Sequence, residues 1–444
     1  MAPSYGSLDK HAEKVRRVAR DLRGHPDGRP LSLRKQAISH QVPKPGDRKY
    51  SDDKLDISDL DQILEIDVVH RTCTAEPGVT FVDLVAATLA HGFVPLVVPE
   101  LKTITVGGAV VGCSIESMSF QYGGFHDTCT EYEVITSAGD VLRCTADNEH
   151  QLVFQMVHGS FGTLGILSKL TFRLIPALPF VKVVYERHAT AASYQDSIAA
   201  HAQHRDADFM DGIIHGPDLY VLSLGHFVDT APYTHRWNWV AAYYETTARR
   251  SEDYFTTPDY FFRYDRGVTA VRPRSLAARF LLGPFIHSSR VLRLAEKFVW
   301  ALPAEKPDVT VDIFVPFSRF DEFMQWYWVE FGPHPLWCVP YRPAQRYGWL
   351  SDTWYAGVTD ELFVDLAIYG YQQRDDRNQY RLLEKKLQQL NGVKTLISFN
   401  YYEEEEFWRI FHRENHFDAK RVVDPRNLFR DLYTKTCRAA RGLD

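Results

Sequence analysis

Two clusters of small residues are the first places where residue type and spacing suggest chemistry: Thr105-Val106-Gly107-Gly108-Ala109, running on to Gly112, and Gly159-Ser160-Phe161-Gly162-Thr163-Leu164-Gly165. Glycine lets backbone N–H groups come close to a phosphate or a planar ring, and a helix opening at Gly107 would add its dipole to such a contact. Neither cluster matches the G-x-G-x-x-G fingerprint or the G-x-x-x-x-G-K-[ST] phosphate loop, so spacing alone leaves tight turns and ligand sites as equal readings.

Other catalytic patterns are thin. There is no G-x-S-x-G nucleophile elbow. His412 and His416 stand at i and i+4 but lack the His-Glu-x-x-His order of zinc hydrolases, so an exposed helix end is expected there and no metal. The run Glu403 to Glu406 reads as a helix N-terminus. Six cysteines without C-x-x-C spacing suggest neither a zinc site nor a disulfide scaffold, and point to a reducing compartment.

The elements that must position these residues follow from periodicity. Ile63 to Asp67 and Thr72 to Pro77 read as two short strands around a tight turn. Thr80 and Asp83 signal a helix cap, Phe81, Leu84, Val85 and Leu89 repeat at helical spacing, and Gly92 supplies a left-handed stop, predicting a helix from Phe81 to His91. Val94 to Val98 has strand length. A hairpin follows, with Glu131 to Thr136 and Val141 to Thr145 flanking the turn Ser137-Ala138-Gly139-Asp140. Asp147 is the expected cap of a helix over Glu149 to Val157, and the second glycine cluster feeds a strand through Leu170, Phe172 and Leu174 to Pro176, the first domain boundary. Beyond it, Ile313 to Val315 and Leu362 to Ala367 read as strands, and Phe320 to Phe331 and Tyr380 to Leu390 as helices of a second α/β layer. From Tyr401 the chain is helical, interrupted at Asp424-Pro425.

Composition is that of an ordered globular protein: 45% hydrophobic, 24% charged and 13% aromatic over 444 residues. A formal net charge of -6 argues against nucleic-acid binding, which begins with neutralising phosphates. The first fifty residues hold twelve Lys or Arg against five Asp or Glu. That excess reads as a solvated helix face, with peripheral contact to an anionic membrane and a pyrophosphate cradle at Arg34 and Lys35 as the other uses. No signal-peptide-like run or stretch of about twenty apolar residues occurs, so a soluble, cytoplasmic protein is expected. The apolar run Phe280 to Ile286, with Val299 and Trp300 nearby, reads as core, with bilayer contact as the alternative.

The order of the pieces is more telling than any one of them. Val98-Pro99-Glu100-Leu101-Lys102-Thr103-Ile104-Thr105-Val106-Gly107-Gly108-Ala109, then Gly112-Cys113-Ser114-Ile115-Glu116-Ser117, Tyr122-Gly123, the hairpin, and Gly162-Thr163-Leu164-Gly165-Ile166 resemble the vanillyl-alcohol-oxidase-type (PCMH-type) FAD-binding flavoproteins. Within them the wording is similar to the Δ24-sterol reductase (Diminuto-like) branch. Leu336 to Pro340, Glu361 to Asp365 with Tyr369-Gly370, Glu406-Phe407-Trp408 and Tyr433 to Arg441 extend the likeness. The resemblance covers most of the chain beyond Leu31 and is weakest from Arg187 to Lys306. It departs in lacking the transmembrane helix of the membrane-bound members, which puts a strictly sterol substrate in question. The first pyrophosphate loop, Arg34 to His40, has no glycines, as in the sterol reductases.

The resemblance implies an α+β fold: a two-subdomain PCMH-type FAD-binding domain (1–178), an α/β substrate or cap domain (179–400) and a C-terminal helical return onto the first domain (401–444). It implies a dissociable FAD, with His40 as a pyrophosphate or loop contact rather than a covalent link. The cofactor would meet Arg34, Lys35, His40, Glu100 and Thr103, then Thr105, Val106, Gly107, Gly108, Gly112, Cys113, Ser114 and Ser117, and finally Gly162, Thr163, Gly165 and Ile166. NADPH is the implied hydride donor, docking transiently, because no second nucleotide motif is visible.

An isolated trisubstituted alkene has no carbonyl to absorb hydride charge, so a proton must add before or with the hydride, leaving cationic character on carbon. Glu116 is the leading acid, expected beside the flavin ring, with a carboxylate that only hydrogen-bonds flavin or backbone as the equal alternative. Tyr122, Asp365, Tyr369 and Tyr402 are second choices, and Trp337 and Tyr341 are expected in the wall of a pocket for a hydrophobic small molecule. The aromatics on the helix Phe320 to Phe331 read as core. The competing readings are an oxidase or dehydrogenase that removes a hydride from an alcohol carbon, and a binding module without chemistry.

Overall fold

A computed structural model describes residues 4–37, 39–44, 46–235, 242–265, 308–373 and 376–443. The run Phe280 to Ile286, with Val299 and Trp300, lies outside the described residues. The chain opens with a helix, Leu8–Gly24, whose apolar side (Val15, Val18, Ala19, Leu22) is buried. Its polar His11 is also buried, its two ring nitrogens each 2.8 Å from a carboxylate oxygen, of Glu76 and of Glu133. Strands β1 (Leu31–Arg34) and β2 (Asp53–Asp56) then pair in parallel.

The first sheet is built from β3 (Ile63–Asp67), β4 (Thr72–Ala75), β5 (Phe93–Pro95), β6 (Cys129–Ile135), β7 (Val141–Thr145) and β8 (Ile166–Pro176). Its order is β3-β4-β8-β6-β7, with β5 on the end of β8, and every pairing is antiparallel. In the long strand β8, Leu170, Phe172 and Leu174 alternate into the core, the period-2 pattern of a sheet with one buried face. The β6–β7 turn needs Gly139, at φ +81° and so close to the first helix that a Cβ would sit 2.7 Å from the Ala19 carbonyl oxygen.

Two local expectations are corrected. The strand runs Phe93–Pro95, so only Val94 and Pro95 of the expected Val94 to Val98 enter the ladder; Leu96, Val97 and Val98 are buried outside it, and their character reports burial rather than pairing. Asp147 caps nothing: its carboxylate accepts the Thr145 hydroxyl at 2.6 Å, and the helix runs Gln151–Val157 with His150 at its N-cap. The helix Phe81–Leu89 begins at Thr80 as its capping signal predicts.

The second sheet has eight strands, β9 (Phe180–His188), β10 (Phe209–Gly216), β11 (Leu219–Val228), β12 (Glu252–Thr256), β13 (Val309–Pro316), β14 (Leu336–Tyr341), β15 (Phe363–Tyr371) and β16 (Val393–Lys394). They follow the order β12-β9-β11-β10-β14-β15-β13-β16, again antiparallel throughout. Helices Ala191–His204, Phe320–Phe331 and Gln379–Leu390 bury Tyr194, Phe323, Tyr327 and Leu383 in one core with Met210, Ile313, Cys338 and Leu366. Because strand side chains alternate, the partners of those residues, Asp211, Asp312, Trp337, Asp365 and Tyr369, point to the opposite face, toward the first sheet. Ile213, Trp337, Val339, Tyr341 and Ala367 of that face share a core with Val106, Ala109 and Ile115 of the first unit.

The chain closes on itself. Helices Glu404–Ile410, Arg413–Val423 and Leu432–Thr436 return to the first unit, where Leu428 and Phe429 enter the small core of the N-terminal helix. Arg426 donates to the Leu22 carbonyl at 2.6 Å, to Asp27 at 2.7 Å and to the Ser137 carbonyl at 3.2 Å. Among the described residues, no helix is long and apolar enough to cross a membrane.

Candidate cofactor and substrate cleft

A cavity of about 1340 Å³ opens between the two units. Drug-sized pockets run to roughly 1,000 Å³, so this space exceeds that of one small ligand. Its walls gather most of the residues expected at a cofactor: Arg34, Lys35, His40, Glu100, Thr103, Thr105, Gly107, Gly108, Gly112, Cys113, Ser114, Gly162 and Gly165. Asp365, Tyr369 and Trp337 line it from the second sheet.

The remaining expected residues lie elsewhere. Val106, Ser117, Thr163 and Ile166 are buried behind the wall; Ser117, for example, accepts the Met210 amide at 2.7 Å and so ties the two units together. Tyr341 is buried with its hydroxyl against that of Tyr347, Tyr402 is buried beside Lys394, and Tyr122 ends the short helix Ser119–Tyr122 away from the cavity. Glu116, expected beside the reacting ring, also lies outside the lining and is 1% exposed. Arg263 Nη1 stands 3.6 Å from its carboxylate, while Arg263 Nη2 is 2.9 Å from Asp211. Asp211 also accepts the Tyr264 hydroxyl at 2.6 Å and the Trp337 indole N–H at 2.9 Å. This buried polar network packs Arg263 over the ring of Tyr260, 4.0 Å from its centroid. It forms a support behind the cleft, linking Glu116 to the Trp337 wall.

The glycines act by lacking side chains rather than by offering amides. Thr105 caps the helix Val106–Val111: its hydroxyl takes the Gly108 amide at 3.1 Å, and its carbonyl takes Ala109 at 2.8 Å. The Val106 amide goes to Val79 and that of Gly107 to Pro77, so the first turn has no free donor for a phosphate. A Cβ on Gly107 would lie 2.5 Å from Pro77, whereas one on Gly108 would meet only the Thr105 hydroxyl, at 3.1 Å. Gly162, at φ +73°, would meet only Lys435, at 3.6 Å.

The cleft is electrically divided. Arg34, Lys35, Lys49 and Lys435 line one part, and Glu100, Asp312 and Asp365 another. Burial pushes Glu100 up to about 7, helped by the neighbouring charge of Asp312. Burial raises Asp312 to about 6 against the opposing hydrogen bond from Tyr369. Asp365 is driven well above the ordinary carboxylate range, first by burial and then by Asp312, Glu100 and Glu116. His40 is lowered to about 4 by burial, so its imidazole is neutral; its Nε2 lies 3.2 Å from the Thr103 hydroxyl.

Comparison with known proteins fits this geometry. Residues 30–145 match the model of a family described as FAD binding domain, spanning β1 to β7 and the Thr105–Gly112 cradle. The human Delta(24)-sterol reductase is 27% identical over 403 residues, covering 86% of this chain and 77% of that protein. The Caenorhabditis elegans Delta(24)-sterol reductase homolog is 26% identical over 425 residues (87% and 79%), and the Arabidopsis thaliana Delta(24)-sterol reductase 24% over 475 residues (96% and 84%). Residues 30–145 thus match an FAD-binding domain, and most of the chain is similar to Delta(24)-sterol reductases, a combination that supports an FAD-binding oxidoreductase. The residues present fit an FAD: glycine positions open onto the cavity, cations line one part of it, and His40 Nδ1 is buried without a partner among the described residues.

Asp312, Lys49 and Lys435 are lining residues that sequence reasoning missed. Asp312 had a signal: in Val309-Thr310-Val311-Asp312-Ile313 it is the polar member of an alternating strand, on the same face as Thr310 and Phe314. Lys435 had none, because only the fold brings the C-terminal helix to Gly162.

Proposed function

We propose that this protein reduces a carbon–carbon double bond of a hydrophobic, sterol- or terpenoid-like small molecule, using FAD with NADPH as the hydride donor. The observation that carries the reading is the meeting of Glu100 from the first unit with Asp312 and Asp365 from the second sheet, three cavity carboxyls all raised above the ordinary carboxylate range by burial. Bound FAD supplies the hydride at the cleft. The carboxyls serve the other half of the reaction: a protonated member donates to the alkene, and an ionised neighbour stabilises the positive charge that develops on carbon. Trp337, Phe314, Ile115 and Phe399 give the cleft apolar walls for such a substrate. Arg34 and Lys35, which line the cavity, would hold the cofactor's anionic tail, and the flavin would be bound without a covalent link. The relatives' activity as Delta(24)-sterol reductases agrees with this chemistry.

The test uses holoenzyme under nitrogen. NADPH is expected to bleach the flavin band, and desmosterol or a related polyprenyl alkene is expected to gain two hydrogens by mass. A flavin that stays oxidised with NADPH but is bleached by an alcohol would establish the oxidase or dehydrogenase reading instead. Acid precipitation is expected to leave the flavin in the supernatant.

A further inference from the structure

The helix Leu432–Thr436, from the C-terminal return, places Lys435 in the cavity wall against Gly162. Its ammonium has no hydrogen-bond or ion-pair partner among the described residues, although it lines a buried cleft. The charged groups around it are Lys35, Lys49, Arg430 and Asp47. The one acid among them, Asp47, is already engaged: it accepts the Lys49 amide at 2.9 Å and stands 3.7 Å from the Lys49 ammonium. A cluster of cations with its carboxylate already engaged favours an anion in the space before it. The cradle cannot meet that anion with backbone, because the amides of Val106 to Ala109 are all engaged within the protein.

We propose that Lys435, together with Lys35 and Lys49, is the side-chain counter-charge for the diphosphate of the bound FAD. The proposal rests on the cofactor reading above and adds a residue from the far end of the chain to it. Gly162 takes a left-handed φ of +73° beside the ammonium, and apart from Lys435 nothing lies within 4 Å of a Cβ placed there. Burial, with Lys35 and Lys49, lowers Lys435 to about 7. An arriving dianion restores the charge, so binding takes up a proton above that pH.

The experiment titrates FAD, and separately riboflavin, into the full chain freed of flavin by dialysis. Lys435→Met is expected to weaken FAD by about tenfold to a hundredfold, the scale of one charge-assisted hydrogen bond to phosphate, while leaving riboflavin affinity unchanged. Lys435→Arg should retain most of the FAD affinity, which separates lost charge from a misfolded helix. Wild-type affinity for FAD should fall from pH 7 to pH 9, and that slope should flatten in Lys435→Met. Equal losses for FAD and riboflavin, or no loss at all, would overturn the assignment while leaving the cofactor reading intact. A wild-type chain that takes up no FAD would sink both.

Discussion

The Tyr369 hydroxyl donates a 2.6 Å hydrogen bond to the Asp312 carboxylate across the β13–β15 pairing. The two are diagonal neighbours on one face, since Thr310 sits opposite Tyr369 and Asp312 opposite Ala367. A donor to the charged form offsets part of the burial cost, and this leaves Asp312 at about 6, below Glu100 at about 7. The cleft therefore holds carboxyls that release their protons in sequence as pH rises.

That order sets the pH dependence of turnover. With Asp365 as the protonated donor and Asp312 as the ionised neighbour, activity rises as pH climbs through about 6 and is lost only where Asp365 gives up its own proton. Tyr369→Phe removes the bond that favours ionised Asp312, so Asp312 keeps its proton longer. The acid edge of kcat should move up by about one pH unit, the equivalent of one hydrogen bond to a charged group. A profile that does not move would show that Asp312 is not the titrating group.

Asp365 tests the proton source directly. Its carboxyl lies on the inner face of β15, is 2% exposed, and burial drives it well above the ordinary carboxylate range. Asp365→Asn keeps shape and neutrality while removing the transferable proton. Alkene turnover should fall about a hundredfold or more, with reduction of the flavin by NADPH unchanged. Full turnover in this variant would pass the role to Glu100 or Asp312.

The two adjacent glycines should respond differently to an added side chain. Gly107→Ala drives a methyl to 2.5 Å from Pro77, an overpacking expected to destabilise the fold by about 1–3 kcal/mol. Gly108→Val points into the cleft with only the Thr105 hydroxyl near, so melting should change little while FAD affinity drops. Thermal denaturation of the apoprotein and FAD titration, run side by side, distinguish the two effects. Tight FAD binding by Gly108→Val would remove that position from the cradle.

Arg263 and Asp211 form a buried pair 2.9 Å apart behind the cleft. Truncating one partner leaves a buried charge uncompensated, so Arg263→Met should destabilise by about 3–5 kcal/mol in urea unfolding. Adding Asp211→Asn should recover part of that loss. Losses that simply add would show that the two side chains do not depend on each other.

Much of this architecture was legible in the sequence where periodicity is local. The alternation of Leu170, Phe172 and Leu174 marks β8, and the Thr80 cap marks the helix Phe81–Leu89. The side chains around the cleft were less so, because their surroundings are set at long range. Glu116 reads as a free acid until Arg263 and Asp211 are seen beside and behind it. Gly107 reads as an amide donor until Pro77 is seen to take its N–H. Asp312 fell one residue outside the strand that periodicity picked out, which begins at Val309 rather than at Ile313.

The clamp made by Arg426, with Leu428 and Phe429 in the core of the first helix, bears on how the chain is made. A nascent polypeptide emerging from the ribosome has Val18 and Leu22 ready long before their final neighbours exist. The leading helix can pack early against Leu31, Leu55 and Leu60, but a stalled or prematurely terminated product leaves the part of its apolar stripe that Leu428 and Phe429 cover open to chaperones and proteases.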